Sequence, residues 1–293
     1  MAGPRRGQDG WPAWARWAPF GDRAPRRRTF LLAVTAVLLA ATTLVTDAVV
    51  REWGVPPAAD PLDKGAVVLV PGYGGARDAL VGLAFRLRIV GRPSVVVALP
   101  ANGTGDLRSQ AAMIDGTVRD LLRHGVRTVD LVGYSSGGVA VWQYLATGRT
   151  APAVRRVVTL GSPLQGTEIA AAGTALTPEV CEQACRQLVP GSALLTELAV
   201  RPRPAIPWLS LWTETDGIVR PADSAALPGV TAIRLQSVCP SAQTPHASLP
   251  RAGLVMGLVL RALGTRPLPR PTAADCLALQ AEGVGFPVLV GTD

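Results

Sequence analysis

The sequence predicts an α/β domain in which helices cover both faces of a mainly parallel sheet. Short apolar runs, typical of buried strands, alternate with segments that have the apolar spacing of helices. One strand leads directly into the pattern Gly-x-Ser-x-Gly at residues 133–137, and a helix-like run follows. With 293 residues, of which 48% are hydrophobic, the chain can form one sizeable α/β core.

Much of the positive charge lies in the first 28 residues. The formal net charge is +8, and residues 1–28 hold seven arginines and two aspartates, which leaves +3 for the remainder. We expect this arm to be disordered, or to lie at a membrane surface through its tryptophans. Because the excess charge is concentrated there, the basic composition does not indicate a nucleic-acid partner for the folded domain.

Residues 29–48 are predicted to be a transmembrane anchor or a signal peptide. Residues 29–46 contain no charged side chain and are just long enough to span a bilayer. Three arginines, residues 26–28, stand directly before them and favour an N-terminus inside the cell. Residues 27–32 also resemble a twin-arginine export signal. We therefore expect an extracytoplasmic domain that is membrane-anchored, or secreted after cleavage.

The folded domain is predicted to span residues 65–265, after a proline-containing linker at 49–64 and before a proline-rich tail at 266–293. Strands are predicted within 65–75 and at 94–99, 128–132, 154–160, 208–212 and 230–235. Helices are predicted at 107–124, 139–148 and 247–263.

Ser135 is the candidate nucleophile, because it stands at the centre of the strand–turn–helix pattern. Glycines on both sides permit a tight turn that exposes its hydroxyl beside a helix N-terminus. That end of a helix carries spare N–H groups and a positive dipole, which suit a developing oxyanion. The alternative is a glycine-rich turn with a solvated serine.

A serine nucleophile needs a base, and the chain has only two histidines. His124 ends a predicted helix before Gly125, where it suits the helix C-terminus. His246 lies in a loop between the last strand and the last helix, and we predict that it is the base. The orienting acid should follow a strand between nucleophile and base, which favours Asp216, with Glu214 and then Asp223 as alternatives.

Two backbone N–H groups are expected to bind the oxyanion. One belongs to Ser136, directly after the nucleophile, and the other to Tyr73 in the glycine-rich loop after the first strand of the domain. Such a loop can also cradle phosphate, but the chain has neither a Walker lysine nor a Gly-x-Gly-x-x-Gly pattern after it.

Residues 65–263 resemble the α/β-hydrolases, and specifically the bacterial extracellular lipases and esterases. The residues that carry the resemblance are VPGYGG (70–75), GDLRSQA (105–111), VDLVGYSSGG (129–138), LGSPLQGTEIA (160–170), PGSALL (190–195), TDGIVRP (215–221) and VCPSAQTPHASL (238–249). The resemblance implies an α/β-hydrolase fold with Ser135, Asp216 and His246 as its triad. It also implies Tyr73 and Ser136 as the oxyanion donors.

Some positions depart from the common lipase pattern and leave the substrate class open. Tyr134 and Ser136 stand where lipases often have His and Met, and Pro71 precedes Gly72 where many have His. We expect Gly72 and Tyr134 to contact the substrate. Residues 164–205 exceed an ordinary connection, and we interpret this cap segment as a cover over an acyl pocket or as a packed helix pair.

An acyl chain would need an apolar wall, and leucines and a valine of the cap segment are candidates: Leu188, Leu194, Leu195, Leu198 and Val200. Four cysteines in an exported chain suggest two disulfides, with three possible pairings of Cys181, Cys185, Cys239 and Cys276. The cysteine and histidine spacing does not fit a zinc site, and we expect neither metal nor cofactor.

Ester hydrolysis by a monomer that acts on acylglycerols or other lipid esters is the predicted function. An acyltransferase on the same scaffold has the same residues, so the sequence does not separate the two. A membrane-tethered, catalytically inactive binding protein is a third hypothesis, against which the complete triad counts.

Overall fold

The computed structural model describes residues 24–53, 55–75, 77–202 and 205–285. The chain divides into two compact units, Met1–Gly54 and Val55–Asp293. In the first unit the described residues form one helix, α1 (Ala24–Trp53). The predicted arm lies outside the described residues up to residue 23, and α1 continues through the first residues of the predicted linker.

Helix α1 contains the only stretch of the described residues, Thr29–Thr46, that is long and apolar enough to cross a membrane. Its mean hydropathy is 2.1 and none of it is buried. Threonine hydroxyls inside it donate to carbonyls of the preceding turn, as Thr35 does to Leu31 and Thr42 does to Leu38. These bonds satisfy hydroxyl groups that a lipid environment would leave unpaired.

The second unit is built on a six-stranded parallel sheet in the order β2-β1-β3-β4-β5-β6. Its strands are β1 (Ala66–Val70), β2 (Ser94–Val96), β3 (Val129–Tyr134), β4 (Val154–Leu160), β5 (Trp208–Trp212) and β6 (Thr231–Arg234). Every residue of β1, β3 and β4 is buried, as expected for parallel strands with both faces covered. The predicted α/β fold is confirmed.

Nine helices follow in the described part of this unit: α2 (Arg77–Ile89), α3 (Leu107–Arg123), α4 (Ser136–Thr147), α5 (Glu168–Leu176), α6 (Gln183–Gln187), α7 (Ala193–Val200), α8 (Leu235–Val238), α9 (Gly253–Ala262) and α10 (Cys276–Val284). One face of the sheet packs on Ile114 of α3 and Tyr144 of α4. The other packs on Leu83 of α2, Leu258 of α9 and Leu279 of α10.

The C-terminal segment differs from the predicted tail, because α10 packs against α9. A Cβ on Gly257 would lie 2.1 Å from the Leu279 carbonyl oxygen, and one on Gly283 would lie 1.8 Å from the Gly253 carbonyl oxygen. Glycine therefore permits the two backbones to touch. This contact leaves no long apolar pattern in the sequence, which is why the composition of the segment indicated a tail.

The four cysteines form two disulfides, Cys181–Cys185 and Cys239–Cys276. The first joins the residues before α6 to that helix, inside the cap segment. The second ties the end of α8 to the start of α10. The predicted number of bridges is confirmed, and of the three possible pairings the structure has this one.

A buried ionic cluster occupies the N-terminal edge of the sheet. Asp130, the second residue of β3, is fully buried and accepts hydrogen bonds from Arg92 at 2.5 Å and from Arg155. Arg92 and Arg155 also donate to the Leu263 carbonyl oxygen, at 2.9 and 2.6 Å. The cluster therefore ties β3 and β4 to the end of α9.

Candidate active site

Ser135 sits at the C-terminal edge of the sheet, between β3 and α4. Its backbone has φ 55° and ψ −130°, a region that costs a non-glycine residue free energy and that recurs at functional sites. A Cβ on Gly133 would lie 2.5 Å from the Gly138 Cα atom, and one on Gly137 would lie 2.4 Å from the Pro71 carbonyl oxygen. The glycines therefore let strand, helix and neighbouring loop pack tightly enough to form this turn.

His246 approaches Ser135 from a loop far along the chain. It begins a 3-10 helix (His246–Arg251) directly after Pro245. Its Nε2 atom lies 2.9 Å from the Ser135 Oγ atom, a hydrogen-bonding distance. The imidazole is buried, with 7% of the residue exposed, whereas Ser135 is half-buried and faces a cavity.

Asp216 contacts the other nitrogen of the same imidazole. Its Oδ2 atom lies 2.7 Å from His246 Nδ1, and its Oδ1 atom accepts the backbone N–H groups of Ile218 at 2.9 Å and Val219 at 2.8 Å. An ionised carboxylate only accepts, so Nδ1 carries a proton and Nε2 presents its lone pair to Ser135. Ser135 therefore donates its O–H to His246.

The other residues weighed as base or acid lie in different environments. His124 caps the C-terminus of α3, where its Nδ1 atom lies 2.7 Å from the Asp120 carbonyl oxygen. Glu214 forms an exposed ion pair with Arg234 at 2.6 Å. Asp223 belongs to the 3-10 helix Ala222–Ala225. The structure thus brings Asp216 and His246, and not these alternatives, to Ser135.

Gly161 is a site residue that was not predicted from the sequence. It follows β4 with φ +50°, and a Cβ there would lie 3.1 Å from Asp216 Oδ2 and 3.2 Å from His246 Nδ1. The same Cβ would lie 2.5 Å from Leu249 Cδ1. Its glycine therefore leaves room for the Asp–His pair, and the one signal in the sequence was a glycine directly after a buried strand.

Tyr134 packs against the histidine and is not positioned to contact the substrate as predicted. It is 6% exposed, its ring centroid lies 5.2 Å from that of His246, and the rings are tilted by 31°. Its hydroxyl donates to the His246 carbonyl oxygen at 3.2 Å. Burial, together with the negative charge of Asp216, raises the pKa of Tyr134 to about 12. The phenol therefore stays neutral, and it packs against the imidazole ring of His246.

The loop after β1 lies against the nucleophile. A Cβ on Gly72 would be 2.7 Å from the Ser135 Cβ atom, so only glycine fits there without moving the serine. Tyr73 follows in a turn, and Ser136 is the first residue of α4. The Ser136 N–H belongs to the first turn of a helix and has no acceptor within that helix.

A cavity of about 240 Å³ opens at Ser135 beneath the cap segment. Its lining is mainly apolar and includes Tyr73, Ile169, Val180, Leu188, Ile218 and Val219. Of the predicted leucine wall, Leu188 lines the cavity, whereas Leu194, Leu195 and Leu198 are buried in the core. Val200 is 79% exposed. The predicted acyl wall is therefore wrong for the residues of α7, because the leucines of this helix face the core around α4 and not Ser135.

The parallel sheet, the serine turn after β3 and the loops that meet it at the C-terminal edge define an α/β-hydrolase. Residues 90–263 match the family model described as alpha/beta hydrolase of unknown function (DUF915), and the chain belongs to that family. No match was found among the curated proteins.

Several solved structures share the fold. The mature form of Bacillus licheniformis lipase BlEst2 is 21% identical, with a TM-score of 0.58 over 72% of this chain and 96% of its own. The lin2722 gene product of Listeria innocua is 16% identical, with a TM-score of 0.52 over 72% and 97%. The metagenomic carboxyl esterase MGS0156 is 18% identical, with a TM-score of 0.50 over 78% of each.

Proposed function

We propose that this α/β-hydrolase cleaves carboxylic esters through a covalent intermediate on Ser135. The observation that carries the proposal is the continuous pair of hydrogen bonds from Ser135 through His246 to Asp216, at 2.9 and 2.7 Å. A serine hydroxyl is a weak nucleophile at neutral pH, and a base that is itself oriented by a carboxylate activates it. The strained turn holds the hydroxyl at the cavity.

The reaction begins when Ser135 Oγ attacks the ester carbonyl carbon while His246 Nε2 takes the hydroxyl proton. The negative charge passes to the carbonyl oxygen, where the N–H groups of Ser136 and Tyr73 are proposed to bind it. His246 then returns the proton to the departing alkoxide, which leaves as an alcohol. Water repeats these steps on the acyl-enzyme and releases the acid, which restores Ser135.

Asp216 has two roles in this cycle. It fixes the tautomer in which Nε2 can accept a proton, and its negative charge stabilises the imidazolium that forms during attack. The backbone N–H groups of Ile218 and Val219 hold one carboxylate oxygen, so the other is fixed towards His246. The proposed reaction requires neither metal nor cofactor.

The apolar cavity supports an ester with a hydrocarbon acyl group, such as an acylglycerol or another lipid ester. A lipase and a carboxyl esterase are among the proteins that share the fold, which is consistent with this substrate class. Transfer of the acyl group to an alcohol instead of water uses the same residues. Adding a competing alcohol to the assay and measuring ester against free acid distinguishes transferase from hydrolase.

We also propose that the protein acts outside the cytoplasm as a monomer, held at the membrane by α1 or released after cleavage. The apolar stretch Thr29–Thr46 and two disulfides support this location, because disulfides persist in oxidising compartments. The N-terminal sequence of the exported protein distinguishes anchoring from release.

Hydrolysis of p-nitrophenyl butyrate by the full chain tests the proposed function. Ser135→Ala should lower kcat by roughly 10⁴- to 10⁶-fold, because the nucleophile is lost. Ser237→Ala is the matched control, since Ser237 is exposed and its hydroxyl donates only to the Arg234 carbonyl oxygen at 2.7 Å. Retention of wild-type activity by Ser135→Ala would refute the mechanism.

A further inference from the structure

We propose that the Cys181–Cys185 disulfide, together with Gly173, limits this site to acyl chains of short and medium length. The inference rests on the proposed esterase function and adds the substrate range. Cys181, Cys185 and Gly173 all line the cavity that opens at Ser135. The disulfide is therefore a wall of the acyl site as well as a covalent link within the cap segment.

The size of the cavity sets the limit. Its volume is about 240 Å³, and an apolar cavity of about 150 Å³ holds one benzene molecule, which has six carbons. The cavity is therefore large enough for a medium-length acyl chain such as octanoyl, but not for the whole of a palmitoyl chain. A palmitoyl chain would leave part of its carbons in water, where they contribute little to binding.

The wall that carries the disulfide is held to the loop beside the nucleophile. The Tyr73 hydroxyl donates to the Val180 carbonyl oxygen at 3.3 Å and accepts the Glu182 N–H at 3.4 Å. These contacts lie on both sides of Cys181, the residue where the bridge begins. These contacts hold the residues on either side of Cys181 near the loop beside Ser135, and the bridge restrains the turn that follows.

The far end of the same wall is tied to the start of α3. The Ala184 N–H donates to the Thr104 carbonyl oxygen at 2.9 Å. The Gln187 side chain accepts the Leu107 N–H at 2.8 Å and donates to Asp106 at 2.6 Å. Hydrogen bonds thus hold both ends of this segment. The bridge between Cys181 and Cys185 restrains the turn between those ends.

Gly173, on α5, lies beside the disulfide and lines the same cavity. A Cβ at this position would lie 3.5 Å from Cys185 Sγ and 3.8 Å from Cys181 Sγ, which are ordinary contact distances. A small side chain is therefore tolerated in the fold. A larger one has to occupy the cavity, because Gly173 itself lines it.

The second disulfide provides a matched control. Cys239–Cys276 lies beyond β6, between α8 and α10, and neither cysteine lines the cavity. Removing either bridge eliminates one covalent link, but only the cap bridge borders the acyl site. A change of substrate range that follows one bridge and not the other therefore reports on the cavity and not on general stability.

The experiment measures kcat/KM for p-nitrophenyl esters from acetate to palmitate with the full chain. The wild type should hydrolyse palmitate at least tenfold more slowly than octanoate. Cys181→Ser/Cys185→Ser should raise the dodecanoate-to-butyrate ratio roughly tenfold or more, because the turn that closes the cavity is released. Cys239→Ser/Cys276→Ser should leave that ratio within twofold of the wild type. An equal ratio in all three proteins would overturn the proposal.

The Gly173 variants keep the proposal testable if the cysteine variants do not fold. Gly173→Leu should lower the octanoate-to-acetate ratio roughly tenfold or more by filling the cavity, and Gly173→Ala should lower it less. An unchanged ratio in Gly173→Leu would contradict the assigned site. Failure of the esterase function itself is distinct, since no ester of any length would then be hydrolysed in a manner that depends on Ser135.

Discussion

Two buried aspartates at opposite edges of the same sheet show what distinguishes a structural charge from a reactive one. Asp130 lies near the start of β3 and contacts two arginines, whereas Asp216 follows β5 and contacts one histidine. Both are almost fully buried. A guanidinium keeps its proton at any ordinary pH, but an imidazole exchanges its proton near neutrality. The cluster at Asp130 can therefore only hold β3 and β4 in place, whereas the pair at Asp216 can transfer a proton.

Strand β3 joins the two regions. Asp130 is the second residue of this strand, and Ser135 directly follows its last residue. In open parallel sheets ligands bind at the carboxyl ends of the strands, because the loops there converge. The ionic cluster fixes the opposite ends of β3 and β4 to the end of α9, so the strand that presents the serine is anchored on a rigid base.

The largest expected effect is a difference in kcat between variants of the two histidines. His246→Gln should lower kcat for ester hydrolysis by roughly 10⁴- to 10⁶-fold, since no base remains to accept the Ser135 proton. His124→Gln should keep kcat within about twofold, because that imidazole only caps α3. Steady-state kinetics of both variants provide the comparison. Equal losses would show that the assignment of the base is wrong.

The next comparison exchanges each aspartate for asparagine. Asp216→Asn should lower kcat by about 10⁴-fold through the wrong imidazole tautomer, with little loss of stability. Asp130→Asn should cost about 3–5 kcal/mol of unfolding free energy, because two buried arginines lose their counter-charge.

Denaturant unfolding and kinetics on the same two proteins measure both quantities. We expect each substitution to affect mainly one of these two quantities. If Asp130→Asn lost activity in a fully folded state, the N-terminal edge would have a role in the reaction that the structure does not explain.

Removal of the Cys239–Cys276 bridge should have a smaller effect, on stability alone. Its cysteines are 37 residues apart, and closing a loop of this length restricts the unfolded chain. Cys239→Ser/Cys276→Ser should therefore lower the free energy of unfolding by about 2–4 kcal/mol while kcat for butyrate is retained. Guanidinium melts in non-reducing buffer measure the change, and no shift in midpoint would contradict it.

The smallest expected effect comes from removing the hydroxyl of Tyr134, which packs against His246. Tyr134→Phe removes a hydrogen bond of 3.2 Å to the His246 carbonyl oxygen, worth about 1 kcal/mol, and should lower kcat about fivefold. Because burial and Asp216 raise the pKa of Tyr134 from 10.0 to about 12, the folded protein holds this proton more tightly than the unfolded chain.

The stability associated with that proton is complete below pH 10 and is lost as pH rises to about 12. The wild type should therefore lose more stability across this interval than Tyr134→Phe does. Chemical denaturation at several pH values measures the difference. An identical pH dependence of the two proteins would show that Tyr134 is not held in its neutral form.

Local patterns predicted much of the sheet and the residues that meet at Ser135. Strands β4 and β5 have the predicted bounds, because each is rich in apolar or β-branched residues and is buried along almost its whole length. Ser135, Asp216 and His246 were predicted from their order along the chain and from the turns around them. The distances that join them belong to the folded chain and have no counterpart in the sequence.

Features that depend on packing were missed. Helix α10 docks on α9 through close backbone contacts at glycines, which leave no apolar periodicity to detect. Leu194 and Leu195 look the same in the sequence whether they face the core or a substrate, and only the direction of α7 decides between them. Gly161 acquires its importance from two side chains that lie more than fifty residues away in the sequence.

Covalent labelling of the full chain with a fluorophosphonate, followed by peptide mapping of the adduct, tests most directly whether Ser135 is an activated nucleophile. We expect one adduct, on Ser135, at a rate that falls to background in His246→Gln and is unchanged in His124→Gln. Labelling of another serine, or no labelling while ester hydrolysis persists, would contradict the proposal that Ser135 and His246 form the reactive pair.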